Sequence, residues 1–301
     1  MTTFIQLTAS GIAMGCLYAL VSLSFVVLVK ATGHFNLLPG SFVLLGAYLT
    51  YQANAVFGFN FFIAITFAIV VVTILGVLIQ RFIFDRIDRR ATQAAAGLAV
   101  LLVTIGLLSI SQAVTVTTWG ADALNLGDPW GLKTVRVGGV ALTQRDLWVI
   151  AITVVVLVIF WLVMQRTRVG VAMRALATDM EAALIQGISP RKVAPVAWVM
   201  SAGAAVIAGV MLSTEAGGGL RPTLDVVAFT ALPALILGGI RSLPGCVAGG
   251  LVLGVVQMYA LGYAPTSFGQ SFAATLPWII LIVILMLRPN GLIATRDFRR
   301  A

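Results

Sequence analysis

Residues 61–79 read FFIAITFAIVVVTILGVLI, nineteen positions without a charge. A run of this length leaves a chain few options. About 20 apolar residues in a helix, each advancing about 1.5 Å, cross a bilayer core of about 30 Å. Comparable runs recur over about 4–29, 37–54, 60–81, 94–114, 147–164, 194–213, 225–240, 246–263 and 272–288. They are continuous and rich in Leu, Val, Ile and Ala, whereas a membrane barrel would show alternating segments of about ten residues. The chain is 60% hydrophobic and 10% charged, with a mean hydropathy of +1.06, against about 25% charged for an ordinary soluble domain. The expectation is an all-α integral membrane protein: a polytopic helical bundle of about eight to nine spans, some short or broken. With 301 residues so committed, no large soluble domain fits, and 1–301 is read as one membrane domain.

The net charge of +9 is not spread evenly. With the C-terminus inside, alternate connections place Lys30, the arginines of 81–90, the cations of 166–192, Arg241 and the tail on one side. That is fifteen cations, leaving Lys133, Arg136, Arg145 and Arg221 on the other. Short cytoplasmic loops retain Lys and Arg, so nine crossings put the N-terminus out and the C-terminus in. The basic excess is therefore topological, and no nucleic-acid partner is inferred from it. The opening segment lacks a basic start and is too long for a leader core, so it is read as a span. Cys16 and Cys246 fall inside apolar segments, as small packing residues do.

Two spans adjoin Pro-Gly breaks, in FNLLPGSFVLLGAY and LPALILGGIRSLPGCVAGG. Backbone freed at such breaks survives at membrane depth only where protein or a water-lined cavity satisfies it. The Leu-Pro-Gly-small pattern occurs at 38–41 and again at 243–246, either a trace of internal repetition or a coincidence of four residues. Between 115 and 146, VRVGGVAL predicts a small hairpin turning at Gly138-Gly139. Glycines four apart, Gly11/Gly15, Gly245/Gly249 and Gly250/Gly254, permit helices to approach closely.

The chemistry is sparse. No Lys follows a Gly, so no phosphate-binding G-x-x-x-x-G-K-[ST] loop exists and the chain has no ATPase site of its own. With one His and no acidic cluster at metal-ligand spacing, neither a catalytic nor a metal or cofactor site is predicted. His34 reads as a polar residue at a helix break. Acidic residues lie in loops or at span ends; Glu215 and Asp225 come nearest the interior but border STEAGGGLRPTLD and are read as interfacial. Asn36, Thr104, Gln112 and Gln257 are the polar groups expected inside the membrane, which offers no ion relay.

The inner connection 166–192 stands apart. In TDMEAALIQGIS, Thr178 or Asp179 can cap a helix start, and Glu181 in its first turn suits the helix dipole. Met180, Ala183 and Leu184 make one apolar face at i, i+3, i+4, and Gly187 ends or bends the helix. Such a helix either lies on the membrane surface or docks into a partner's groove.

Glu181-Ala182-Ala183, three residues, then Gly187 match the E-A-A-x-x-x-G loop of ABC importer permeases. GHFNLLPGSFVLLGAYLT, RVGVAMRALATDMEAALIQGIS, LILGGIRSLPGCVAGGLVLGVVQ and LRPNGL resemble, in order, motifs of the branched-chain amino acid permeases within that family. Two departures stand out. Leu37-Leu38-Pro39-Gly40 replaces the family's usual sequence after Asn36, and Arg241 replaces a glycine of the late Gly-Gly-x-Gly-Ser. The resemblance implies a permease subunit of an ATP-driven importer in a bacterial inner (plasma) membrane, with membrane lipid around it. Its implied partners are a second related permease, two cytoplasmic ATP-binding subunits and an extracytoplasmic substrate-binding protein. Asp179, Glu181, Ala182, Ala183 and Gly187 are then the coupling residues. Asn36, Pro39, Gly40, Gly238, Gly239, Pro244 and Gly245 are pathway candidates, with helix punctuation as their alternative role. Branched-chain or related small amino acids are the implied solutes. Import of urea or short amides, an ion-coupled carrier and a passive small-solute channel stay open from the residues alone.

Overall fold

Apolar helices account for nearly all of the chain. The computed structural model describes residues 2–90, 93–127, 134–137, 140–214, 219–240, 242–263 and 269–287. In order the helices are α1 (Thr2–Thr32), α2 (Pro39–Tyr51), α3 (Phe61–Ile79), α4 (Asp85–Arg90), α5 (Gln93–Trp119), α6 (Gln144–Arg166), α7 (Arg168–Thr178), α8 (Met180–Ile185), α9 (Pro190–Ser213), α10 (Leu224–Phe229), α11 (Leu232–Gly238), α12 (Leu243–Tyr263) and α13 (Gly269–Leu287). Two π-helical turns, Gln52–Val56 and Gln80–Phe84, prolong α2 and α3. Six helices among the described residues are long and apolar enough to cross a membrane, and Phe272–Leu287 adds a shorter apolar one. The expected span at 37–54 is α2 with its π-helical turn. The one at 225–240 is two short helices, α10 and α11, broken at Thr230–Ala231. The predicted hairpin is present: β1 (Thr134–Val137) pairs antiparallel with β2 (Val140–Thr143), Val137 opposite Val140. Its turn Gly138-Gly139, together with Glu215, Arg241 and the closing LRPNGL apart from Leu287, lies outside the described residues.

Two compact units divide the chain. One comprises Met1–Val26, Trp130–Thr153 and Thr230–Ala301; the other Val27–Pro129 and Val154–Phe229. In the first unit, a Cβ on Gly11 would stand 2.7 Å from the Val255 Cα, and one on Gly15 2.7 Å from the Leu251 Cα. Gly250 and Gly254 return the contact, so α1 and α12 meet backbone to backbone along their small-residue faces. Gly245 and Gly249, one step round α12, face α11 instead. Polar groups are paired across these seams: the Tyr18 hydroxyl donates to Gln257 Oε1 at 2.5 Å, and Ser22 Oγ donates to the Ala231 carbonyl at 3.0 Å. The second bond adds to the one the Ala231 carbonyl already accepts from the Leu235 N–H at 3.0 Å at the start of α11.

In the second unit α2 is the buried centre, packed by α3, α5, α9 and α10. Gly209 lets α9 ride against the backbone of Val43, and Gly46 admits Val206. Gly76 on α3 makes room for the rings of Phe42 and Trp198, which meet edge to face at 5.9 Å. Sequence signals set the helix starts. Asn60 caps α3 by accepting from the Phe62 N–H at 3.1 Å, and Pro39 and Pro190 stand in the first turns of α2 and α9. Outward-facing positions such as Leu98, Leu102 and Ile105 on α5, or Val155, Ile159 and Trp161 on α6, are apolar, the surface lipid requires.

Candidate functional site

Between α6 and α9 the chain forms two short helices with defined ends. Thr167 caps α7, its Oγ1 accepting from the Gly170 N–H at 3.1 Å. Thr178 ends α7, and Asp179, in extended conformation, opens α8 by accepting from the Ala182 N–H at 3.0 Å. Of the two predicted caps, Asp179 is the one used. At the other end the Gly187 N–H donates to the Leu184 carbonyl at 3.0 Å, and the Ile188 N–H to the Ala183 carbonyl at 2.9 Å. This paired closure needs a left-handed residue, and Gly187 has φ +81° with open space where a Cβ would be. The glycine serves backbone conformation rather than packing.

Glu181 and Ala182 lie in the first turn of α8, and Ala183 is buried. Met180 sits over the α1–α2 connection, its Sδ 4.0 Å from a Cβ built at Gly33. Leu184 was expected on the same face as Met180 and Ala183. It is instead half-exposed, and beside it Ile185 is 87% exposed. A helix of six residues is held on a narrow face, and the advance of about 40° from i to i+4 carries Leu184 past its edge. α8 therefore presents an apolar knob, Leu184-Ile185, on a connection flanked by the exposed cations Arg168, Arg191 and Lys192.

The pathway candidates fall at helix starts and tight crossings. Asn36 is buried and accepts from the Leu38 N–H at 2.8 Å, leading the chain into Pro39 at the first turn of α2. A Cβ on Gly40 would stand 3.4 Å from Leu108 Cδ2 and from Phe229 Cζ. Gly238 and Gly245 bring the backbones of α11 and α12 so close that a Cβ on either would strike the other's carbonyl. Gly239 turns the chain with φ +93°, and Ser242 Oγ accepts from the Gly245 N–H at 3.1 Å, with Pro244 in the first turn of α12. Asn36, Pro39 and Gly40 gather in one unit, Gly238, Gly239, Pro244 and Gly245 in the other.

A second residue departs from expectation. Asp225, expected at the interface, is 1% exposed, and Gln112 Nε2 on α5 donates to its Oδ2 at 2.6 Å. Its Oδ1 has no hydrogen-bond partner among the described residues. The two residues were separately visible in the sequence as a near-interior acid and an interior amide; their pairing was not.

Lipid-facing helices, interrupted interior segments and an apolar knob on an extramembrane connection are the parts of a multi-pass membrane permease. The chain belongs to the family described as branched-chain amino acid transport system / permease component, whose sequence profile matches residues 7–287. It is 25% identical to the high-affinity branched-chain amino acid transport system permease protein LivH of Salmonella typhimurium, over 99% of this chain and 97% of that one. The LivH protein of Escherichia coli K12 is 26% identical over the same shares. BraD of Pseudomonas aeruginosa, described as the same kind of permease, is 25% identical over 99% and 98%. Among solved structures, PsaBC from Streptococcus pneumoniae in complex with Fab overlaps 98% of this chain and 94% of that one, at 14% identity and a TM-score of 0.49.

Proposed function

We propose that the chain is the membrane-spanning subunit of an ATP-driven importer for branched-chain or related small amino acids. The observation that carries this is the family match over residues 7–287, together with relatives of nearly equal length whose names state that transport. The whole of 1–301 acts as one permease domain in a bacterial inner membrane. Nine crossings place the N-terminus outside and the C-terminus inside. A second related permease completes the membrane unit, two ATP-binding subunits supply hydrolysis, and a substrate-binding protein delivers solute from outside.

In this assembly α8 is the element that meets the ATPase. Asp179 and Gly187 fix its two ends, Ala183 anchors it, and Glu181 and Ala182 fill its first turn. The exposure of Leu184 and Ile185 supports docking over a resting position on lipid, because α8's most exposed apolar side chain adjoins the capped end rather than the buried face. Asn36, Pro39, Gly40, Gly238, Gly239, Pro244 and Gly245 supply the breaks about which the pathway opens.

Proteoliposomes holding the complete assembly test the proposal. ATP inside and loaded binding protein outside are expected to drive leucine uptake, and Glu181→Lys or Gly187→Trp to abolish both uptake and ATPase co-purification while leaving membrane insertion intact. Stoichiometric co-purification with full uptake in both variants would remove α8 from the coupling role. Uptake that collapses with an ion gradient while ATP remains, or flux without any ATPase, would replace the importer by a carrier or a channel.

A further inference from the structure

The second unit holds a buried carboxylate that forms no ion pair among the described residues. Asp225 lies on α10, which packs against α2 and meets α5 through Gln112. Its depth follows from its neighbours. On α5, Ser111 donates to Ser41 Oγ at 3.0 Å, while Trp119, at the end of the helix, donates to Gln52 Oε1 at 2.8 Å. Gln112 precedes Trp119 by seven residues, so the Asp225–Gln112 pair lies about 10 Å along the span from that end. An ionisable group at such depth is expected to have a partner.

No cation faces it. Neither α2 (PGSFVLLGAYLTY) nor α5 (QAAAGLAVLLVTIGLLSISQAVTVTTW) contains a charged residue. The titratable groups on these two helices are the hydroxyls of Tyr48 and Tyr51. Gln112 has turned its amide nitrogen to Oδ2, which leaves its own Oε1 and Asp225 Oδ1 as acceptors. The site thus supplies a negative charge and acceptor oxygens and, among the described residues, lacks a positively charged donor.

We infer that Asp225 and Gln112 bind the ammonium group of the transported amino acid, an inference that rests on the importer assignment above. An ammonium brings one positive charge and three N–H donors, two of which match the free carboxylate oxygen and the amide oxygen. Urea and short amides bring donors without charge and leave the carboxylate uncompensated, so the site selects between the two solute classes the sequence leaves open. Asp225 is closed off here, and α10, six residues long with non-helical residues on either side, is the piece that moves to admit the solute.

Two measurements on the complete assembly test this. In the wild-type protein, a hydrophobic carbodiimide is expected to label Asp225 during ATP turnover, read by mass spectrometry. Leucine and isopentylamine are expected to suppress the label, while 4-methylpentanoate, acetamide, urea and sodium leave it unchanged. No labelling, suppression by none, suppression by all, or suppression by sodium alone overturns the inference. In the second, Asp225→Asn is expected to lower leucine uptake by about tenfold or more, as loss of one partner of a desolvated charge pair does. Assembly with the ATPases should be unchanged, and Asp225→Glu should recover part of the uptake. Leucine uptake by Asp225→Asn within about twofold of wild type overturns the site and leaves the importer standing. Wild-type uptake of urea or acetamide with none of leucine overturns both.

Discussion

Asn36 is where the two roles of a pathway candidate separate most cleanly. Its side chain satisfies the buried Leu38 N–H, so Asn36→Ala is expected to destabilise the protein by about 1–2 kcal/mol, read as a lower thermal midpoint in detergent. Asn36→Ser keeps an acceptor and should restore most of that stability. If Ser restores uptake along with the midpoint, Asn36 starts a helix; a restored midpoint without uptake would place it against solute. Gly187→Ala is expected to cost about 1–2 kcal/mol locally through its left-handed conformation. Faster hydrogen exchange at the Ile188 amide would report it. Asn36 and Gly187 were legible in the sequence because caps and turn glycines are local. Asp225 was not, since its burial depends on α5, more than a hundred residues earlier, and on a break that sets Asp225 at the head of a separate short helix.

Helix contacts are decided by where a side chain is absent. Gly209 abuts the Val43 backbone, whereas Gly203, on the same helix, has nothing within 4 Å of a built Cβ. Gly209→Ala is therefore expected to force α2 from α9 and destabilise by about 1–3 kcal/mol or more. Gly203→Ala should be neutral or stabilising by up to about 1 kcal/mol; equal midpoints for the two variants would contradict this packing. Spaced glycines marked faces able to approach closely, since the four-residue interval is a property of a single helix face, but not which helices would meet. The π-helical turns after α2 and α3 carried no such mark, because one extra residue in a turn leaves the hydropathy of a span unchanged. The span 225–240 was legible as a short or broken one, but the place of its break, Thr230–Ala231, was not, for the Pro-Gly signal lies elsewhere, at the start of α12.

Orientation is a property of the whole chain, and the proposed one rests on the uneven distribution of its cations rather than on any motif. Cys16 and Cys246 are buried, so the native protein should resist a membrane-impermeant maleimide and serve as its own blank. In intact cells freed of the outer barrier, Asp122→Cys is expected to label from outside and Arg168→Cys only after permeabilisation, both sites being exposed. The reverse pattern would invert the topology. The proposed docking face was less legible, since its residues are few and their exposure depends on how a six-residue helix is held. That helix has a mechanical consequence. Six residues make α8 about 9 Å long, and the bonds that close its two ends converge on one stretch, Ala182 to Leu184. No free turn is left to fray or stretch under load. On the proposed docking, a push at Ile185 would pass along the chain to α7 on one side and α9 on the other, so α8 would work as a rivet between two levers rather than as a spring.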